Sequence, residues 1–269
     1  MRVGQARSVV EYIQIVSEIR SRWRVVGASQ DEELWYRGVR SASYRLLPGA
    51  YRQAGCDDVT LFAYFQQIAP AYVERPPRTD WEWYFLAQHF GLPTRLLDWT
   101  LSPLAALYFA VCDNENSARV PAVWMIDAGS LNLVTIGCDE LVAPRGKAEF
   151  SKHWLPWEAS DSVGSCVFEF EGQRCSCELP MAILPFQGER RIAAQQGMFT
   201  IHGRSRVPLE KLLVRARDPA QRRVAKIVFP HADRSVLLRE LRELGVRKSS
   251  MFPELASVAE DLIADFTDS

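Results

Sequence analysis

The stretch from residue 86 to residue 110, LAQHFGLPTRLLDWTLSPLAALYFA, places polar side chains inside an otherwise apolar run. Apolar residues in such a run normally lie in the core, where an unpaired carboxylate or guanidinium costs several kcal/mol. Arg95 and Asp98 must therefore pair with each other, pair elsewhere in the protein, or face a cleft. The first two outcomes are structural and the third is functional, so this segment bears on both the fold and the function.

Composition excludes several classes of protein. Hydrophobic residues make up 48% of the 269 residues, which is enough to bury a sizeable core. Lys and Arg number 32 against 33 Asp and Glu, which argues against a protein that coats nucleic acid, although a local basic patch stays open. No stretch approaches the roughly 20 apolar residues of a membrane span, and the N-terminus turns polar too soon for a signal peptide. We expect a cytoplasmic protein with no membrane partner.

The six cysteines are scattered along the chain. Cys175 and Cys177 have one residue between them, whereas zinc-binding pairs usually leave roughly two to four. Neither has a nearby His or Cys partner. We therefore expect six reduced thiols and no metal site.

Residue patterns in the first third of the chain predict several helices and a strand. Helical spacing of apolar residues predicts a helix over 8–25, and Leu-Trp-Tyr-Arg at 34–37 is typical of a short strand ended by Gly38. Asp58 is placed to cap a helix that runs to about residue 72. Asp80 is placed to cap another over 81–90, which Gly91 and Pro93 end.

The remaining pattern predicts mixed secondary structure. Ser102-Pro103 predicts a helix start after an extended segment at 95–99, because a hydroxyl cap precedes a proline in the first turn. That helix is apolar on nearly every side and should be buried. Strands are expected at 121–127, 165–171, 180–186, 198–202 and 224–229, with helices at 233–245 and after Pro253. The order predicts an α+β fold: one domain over 1–269, a central mixed or antiparallel sheet, and flanking helices at 8–25 and 233–266.

A first polar cluster is Tyr36-Arg37-Gly38, with Tyr44 and Arg52 downstream. Arg37 at the end of an aromatic strand either forks two hydrogen bonds onto a phosphate or carboxylate ligand, or satisfies a carboxylate of the protein such as Asp98. Gly38 lets a ligand or another segment of the chain approach closely.

A second polar cluster lies in the opening stretch. Gln88 and His89, at the end of the predicted helix over 81–90, project toward the turn that carries Thr94 and Arg95. A single histidine is more often a core or capping residue than a ligand-binding one. Asp98 precedes a helix start, where it either bonds backbone donors or helps to hold an anion or a ribose hydroxyl.

A third polar cluster joins Arg190 and Arg191 to Gln195 and Gln196, ahead of an extended segment with Phe199. Two adjacent amides are costly to bury unless they are fully hydrogen-bonded. The segment is therefore either a surface loop or a wall of the cleft that Arg37 faces, where a glutamine bonds a polar ligand.

These residues resemble the FRG domain family, named for a Phe/Tyr-Arg-Gly motif that is Tyr36-Arg37-Gly38 here. The similarity continues through Ala-Gln-His at 87–89, the run from Gly91 to Thr100, Ser102-Pro103 and the third cluster, and ends near 252–255. The resemblance spans nearly the whole chain. It implies a protein of a family widespread in bacteria and phages, often in mobile or defence-associated settings.

The order of the three clusters also resembles, more distantly, the three-part site of ADP-ribosyltransferases. That likeness implies NAD as substrate, with Arg37 on its phosphate or ribose, and Thr100, Ser102 and Tyr108 in a second element whose aromatic ring stacks on nicotinamide. Gln195 or Gln196 takes the third position. The implied binding residues are Tyr36, Arg37, Gly38, Gln88, His89, Thr94, Arg95, Thr100, Ser102, Tyr108, Gln196 and Phe199, and the implied catalytic residues are Arg37, Asp98 and Gln195.

The chain departs from the transferase pattern at the third position. A glutamine cannot act as a general base or place negative charge against an oxocarbenium ion. Asp98 or Glu189 would then have to supply the carboxylate. Contact between Arg37 and Asp98 would make the segment a structural clamp, and a pocket between them would favour Asp98 as that carboxylate.

Two functions follow from these patterns. The first is an NAD-consuming transferase or glycohydrolase, such as a toxin or phage-defence effector, that modifies protein or nucleic acid. The second is a non-catalytic module that binds a nucleotide, a nucleic acid or a partner protein. The missing acidic residue favours the second function, and so does a group of arginines that also fits a solvated basic face: Arg204, Arg206, Arg215, Arg217, Arg222 and Arg223.

Overall fold

The computed structural model describes residues 2–25, 34–112, 119–144, 146–158, 167–170, 172–185 and 190–267. Within these ranges nine strands form a seven-stranded sheet and a separate hairpin. The strands are β1 (Arg2–Gln5), β2 (Leu34–Val39), β3 (Leu96–Thr100), β4 (Ala122–Asp127), β5 (Val167–Phe170), β6 (Gln173–Ser176), β7 (Met181–Ile183), β8 (Gly197–Ile201) and β9 (Val224–Val228). The large sheet has the order β1-β9-β4-β2-β3-β8-β7, and β5 pairs with β6. Only the β1–β9 pair of the large sheet is parallel.

Helices cover both faces of this sheet. They are α1 (Val9–Val25), α2 (Gly49–Arg52), α3 (Asp58–Ile68), α4 (Asp80–His89), α5 (Pro103–Val111), α6 (Ala128–Ile136), α7 (Arg190–Ala194), α8 (Leu209–Val214), α9 (Arg234–Glu243), α10 (Lys248–Met251) and α11 (Leu255–Thr267). Short 3₁₀ helices lie at Ala69–Tyr72, Gly146–Trp154, Pro219–Gln221 and His231–Asp233. The predicted α+β class, with a mixed sheet flanked by helices, is confirmed. One domain over the whole chain stays a prediction.

Three groups of buried side chains make up the core. One packs α1, α5 and α9 against β2, β4 and β9. A second joins α3 and α4 to β3, β7 and β8. A third lies where α6 and α8 cover the tryptophan-rich face of β2, β3 and β4. No helix of the described ranges has both the length and the apolar character needed to cross a membrane.

Capping residues in the sequence predict the starts of α3, α4 and α5 to within one residue. The Ser102 hydroxyl accepts from the Ala105 amide at 3.2 Å, so the predicted cap of α5 is confirmed. For α3 and α4 the caps are Asp57 and Thr79, one residue before the predicted Asp58 and Asp80. The expectation of six reduced thiols is wrong at Cys177, which is part of a disulfide.

Gly38 sets how closely α5 approaches β2. A Cβ atom at this position would lie 2.0 Å from the Ala106 carbonyl oxygen and 2.7 Å from the Ala110 amide nitrogen. Both atoms belong to the backbone of α5, so they cannot move aside as a flexible side chain would. The glycine of the Tyr-Arg-Gly motif is therefore required by helix packing.

We expect Gly38→Ala to destabilise the fold by about 3 kcal/mol or more, because the added methyl group overpacks the β2–α5 contact. Thermal and urea unfolding would measure this loss. Gly55→Ala is the matched control: it has open space around it and a φ of 74°, so it should cost only about 1 kcal/mol. Equal losses in the two variants would contradict the packing argument.

Candidate functional site

The sheet splits between β2 and β3. β2 pairs with β4 from Leu34 to Val39, and β3 pairs with β8 along its whole length, but β2 and β3 pair only at Tyr36 and Thr100. If that register continued, Gly38 would lie opposite Asp98. The strands part instead, and a cleft of about 730 Å³ lies at the split.

Arg37 joins the two strands where their pairing has ended. Its Nη1 donates to the Asp98 carbonyl oxygen at 2.5 Å and lies 3.3 Å from Asp98 Oδ2. The Arg37 side chain is 18% exposed and the Asp98 side chain 55%. Burial lowers the pKa of Arg37 below its ordinary value, Asp98 opposes the shift, and Arg52 adds to it. Arg37 and Asp98 are thus in direct contact, as a structural clamp requires, yet both line the cleft.

A chain of side-chain hydrogen bonds holds the other side of Asp98. Its Oδ1 accepts from Gln88 Nε2 at 2.8 Å, and Gln88 Oε1 accepts from the Thr94 hydroxyl. Gln88 lines the cleft, whereas Thr94 is fully buried below it. The end of α4 therefore orients the Asp98 carboxylate. His89 also lines the cleft, with its ring edge-on to Phe90.

The third polar cluster reaches the same cleft through α7. Gln195 lines it, donates from Nε2 to the Met251 carbonyl at 3.1 Å, and accepts the Thr100 hydroxyl at its backbone carbonyl at 2.6 Å. Arg191 lines it too, with its guanidinium 4.6 Å from the centre of the Phe252 ring. Arg37, Asp98 and Gln195 thus converge, although they lie far apart in the sequence.

Several residues expected to contact a ligand are placed elsewhere. Arg95 forms a two-point ion pair with Asp58, with Nε 2.5 Å from Oδ2 and Nη2 3.2 Å from Oδ1. Tyr108, a residue of α5, packs in the core on that helix's buried side. Phe199 packs against Phe85, 5.1 Å between ring centres. We correct the expectation of a cleft-facing role for Arg95, Tyr108 and Phe199, because their side chains serve the core and its edge.

Four more expected residues have structural duties. Ser102 caps α5. The Thr100 hydroxyl, on the cleft wall, donates to the Gln195 carbonyl and accepts from the Ser102 amide at 3.0 Å. Gln196 has a φ of 48° at the turn into β8 and is absent from the cleft lining, as is Thr94. Glu189, the alternative carboxylate, lies outside the described residues.

Sequence reasoning missed part of the lining. Arg40, at the end of β2, and Arg52, in α2, join Arg37 and Arg191 around the cleft, while Asp98 is the one carboxylate among the described lining residues. Arg52 was named in the first polar cluster but not among the expected binding residues, and Arg40 was not named at all. A cleft with this charge balance suits an anionic ligand, since guanidinium groups bind phosphate and carboxylate oxygens in pairs.

An aromatic wall completes the cleft. Tyr36, Tyr44, Phe90, Trp99 and Phe109 contribute to the lining. Burial raises the pKa of Tyr36 to about 12, so its phenol is neutral at physiological pH. Phe109, next to the expected Tyr108, lies edge-on to Phe252 with ring centres 5.9 Å apart. Among the described residues no group of three or more His, Cys, Asp or Glu side chains could hold a metal ion.

The arginines at 204–223 do not share one face. Arg223 is buried and pairs with Asp127 at 2.5 Å, and Arg222 Nε donates to the Ala216 carbonyl at 2.9 Å. Arg206 lies over the Tyr51 ring. These contacts use part of the group to support local structure, so it offers weaker support for a nucleic-acid surface than its sequence suggested.

His202 is a buried neutral histidine near Arg37. It has no exposed surface, and its Nε2 lies 3.3 Å from the Thr200 hydroxyl, which accepts from the indole of the cleft residue Trp99. Burial, together with the smaller effect of the Arg37 charge, lowers the pKa of His202 to about 3.

Because the folded pKa of His202 lies below the unfolded value of about 6.5, only the unfolded chain takes up this proton between the two values. His202 should therefore destabilise the protein increasingly as the pH falls from about 6.5 toward 3, by about 1.4 kcal/mol per pH unit. Urea unfolding from pH 7 to pH 4 would measure it. His202→Gln should show a shallower pH slope than the wild type, and equal slopes would contradict the assignment.

Comparison with known proteins agrees with the sequence resemblance over the segment that carries the first two polar clusters. A family model for the FRG domain matches residues 32–119, about a third of the chain. No curated protein and no solved structure matches the chain. The match covers β2, α4, β3 and α5, and with them the Arg37–Asp98 pair and Gly38. Residues 32–119 of this chain are therefore similar to the FRG domain.

Proposed function

We propose that the cleft binds NAD or a related nucleotide and that the protein is an ADP-ribosyltransferase-like enzyme that releases nicotinamide. One observation carries the proposal: Arg37, Asp98 and Gln195 meet at one cleft, and the three polar clusters that contain them follow one another along the chain in the order that the transferase resemblance implies. β2, β3 and β8, which carry or follow these residues, are neighbours in the sheet. An acceptor protein or nucleic acid, and a role as a toxin or defence effector, belong to this proposal.

The charge and size of the cleft support a dinucleotide. Four arginines from three segments (β2 with its end, α2 and α7) surround it, so a pyrophosphate would meet several cations at once. Its volume of about 730 Å³ falls within the range of about 300–1,000 Å³ that small-molecule sites occupy. Phe109 and Tyr36 offer flat surfaces for a base or a nicotinamide ring.

The chemistry needs no metal. The bond between ribose C1′ and the nicotinamide nitrogen breaks, and its electron pair leaves with neutral nicotinamide. Water or an acceptor hydroxyl, amine or carboxylate then attacks C1′; water, a hydroxyl or an amine gives one proton to the solvent, and a carboxylate releases none. Charge develops on the ribose as an oxocarbenium ion, which a fixed carboxylate stabilises. Asp98 is the described carboxylate at the cleft, and Gln88 and Arg37 fix its orientation.

A second candidate is a nucleotide-binding module without catalysis. Two contacts favour it: Arg37 touches Asp98 directly, and the Gln195 amide is held by the Met251 carbonyl. Residues engaged in this way position a ligand well without acting on its bonds. Binding and turnover of NAD separate the two candidates.

Arg52→Gln should weaken NAD binding by roughly 10-fold or more, because a charge-assisted hydrogen bond to phosphate is worth about 1.5–3 kcal/mol. Arg52 is exposed on the cleft wall, so the melting temperature should not change. Isothermal titration calorimetry with NAD and with ADP-ribose measures the effect. Arg217→Gln, an exposed arginine that is not part of the cleft lining, is the control and should bind like the wild type. Equal affinities in all three proteins would contradict phosphate binding at this cleft.

Asp98→Asn should lower nicotinamide release by about 100-fold or more while NAD affinity changes little, because it removes the charge and keeps the shape of the side chain. Chromatography of nicotinamide from labelled NAD, with and without cell lysate, measures release. Asp139→Asn, at an exposed carboxylate, is the control. A wild type that binds NAD but releases no nicotinamide under either condition would overturn the enzyme proposal in favour of the binding module.

A further inference from the structure

The end of α10 contacts three residues of the cleft from behind. Met251 ends the helix and Phe252 follows it, and neither lines the cleft. The Met251 carbonyl accepts from Gln195 Nε2 at 3.1 Å. The centre of the Phe252 ring lies 4.6 Å from the guanidinium carbon of Arg191 and 5.9 Å from the centre of the Phe109 ring. Two consecutive residues outside the cleft therefore touch three side chains that line it.

The short helix α7 gains little from its own packing. It has five residues and none of them is fully buried. A helix of this length has little stability of its own, because most helical stability in proteins comes from packing. Backbone bonds tie its end to the end of β3: the Thr100 hydroxyl donates to the Gln195 carbonyl, and the Leu101 amide donates to the Gln196 carbonyl at 3.0 Å. These bonds fix the main chain, and they leave the direction of the Arg191 and Gln195 side chains to other contacts.

The Phe252 ring supplies such a contact to Arg191. An arginine side chain loses much rotamer freedom when it is held, so a guanidinium that is ordered beforehand lowers the cost of binding a ligand. The ring attracts the cation through its face and has no oxygen acceptor, so the N–H donors of Arg191 stay available to a phosphate. Arg37, in contrast, already donates to the Asp98 carbonyl.

Phe252 is itself held in place. Its side chain is half-buried against the core group of α1, α5 and α9. Its amide donates to the Lys248 carbonyl at 2.7 Å, which ties it to the start of α10. The start of α10 is held in turn by α11, because the Asp261 carboxylate accepts from the Ser249 amide at 2.8 Å and from the Lys248 amide at 3.2 Å. The ring is therefore a fixed support behind the cleft.

We propose that Phe252 is a positioning residue for the cleft, which directs the Arg191 guanidinium toward the phosphate of the ligand and fixes the face of Phe109. The Met251 carbonyl orients the Gln195 amide in the same way. This inference rests on the proposed function, because it takes the ligand to be a nucleotide. Phe252 acts through its neighbours and does not touch the ligand itself.

The resonances of Arg191 test the position of its side chain without any ligand. An aromatic ring shifts the resonances of protons above its face upfield. In protein labelled with ¹³C-arginine, the δ protons of Arg191 should lie upfield of those of other arginines, and Arg191→Gln identifies the signal by its loss. Phe252→Leu should return the signal to the ordinary position, and Phe252→Tyr should keep it upfield. A signal that Phe252→Leu does not move would overturn the proposal.

Ligand affinity tests the consequence of this positioning. Phe252→Leu keeps an apolar side chain but removes the ring, so it should weaken the binding of both NAD and pyrophosphate by about 3-fold or more. Phe252→Tyr restores the ring and should bind like the wild type. In an Arg191→Gln background, Phe252→Leu should not weaken pyrophosphate binding further, because the two residues act as one pair. Isothermal titration calorimetry measures each affinity.

Phe150→Leu is the matched control. Phe150 is also half-buried and in contact with two other aromatic rings, but it does not line the cleft. It should lose stability in a melting curve as Phe252→Leu does, and it should bind NAD and pyrophosphate like the wild type. An equal loss of affinity in Phe150→Leu would overturn the proposal, since it would assign the effect to general packing.

Two further outcomes separate this inference from the proposed function. A Phe252→Leu variant that binds both ligands like the wild type would overturn the positioning role and leave the nucleotide site intact. A wild type that binds neither NAD nor pyrophosphate would overturn the proposed function, and the Arg191 resonances would then decide by themselves whether Phe252 positions the guanidinium.

Discussion

The contact of Arg37 with the backbone and side chain of Asp98 is the interaction on which the cleft depends. A sheet that continued its pairing from Tyr36 and Thr100 would leave no opening between β2 and β3. Where the strands separate, the guanidinium reaches across and binds the carbonyl of the opposite strand. A planar group with several donors can hold a carbonyl and a carboxylate together, which the single ammonium of a lysine does less well. The split is therefore bridged without being closed.

The three residues of the Tyr-Arg-Gly motif each do one part of this work. Tyr36 is buried at the last paired position, Arg37 crosses the split, and Gly38 admits the backbone of α5. α5 begins immediately after β3, so its position also determines where β3 ends. Successive residues of a strand point to opposite sides of the sheet. Along β2 this places the tyrosine in the core, the arginine in the cleft and the glycine against α5, which explains the order of the three residues.

How much of this could be predicted depended on whether the signal was local. The start of α5 was predictable because Ser102 and Pro103 act within one turn, and the caps of α3 and α4 were off by one residue because adjacent polar residues compete for the same role. The partner of Arg95 was not predictable, since Asp58 lies 37 residues away. Phe109 faces the cleft and Tyr108 the core. This was not predictable, because α5 is apolar on all sides and its sequence pattern does not show which side faces the cleft. Arg52 and Arg191 reach the cleft only through tertiary packing.

A structural role and a functional role do not exclude each other for Asp98. It touches Arg37 and Gln88 with different oxygens, yet more than half of its side chain is exposed to the cleft. A carboxylate offers about four acceptor positions, and these two contacts use two of them. The same bonds that tie β3 to β2 and to α4 therefore hold the remaining lone pairs in a fixed direction. A group fixed in this way stabilises a developing positive charge without first having to reorient. Structural pairing is then a condition for the proposed chemistry at Asp98, and it does not argue against that chemistry.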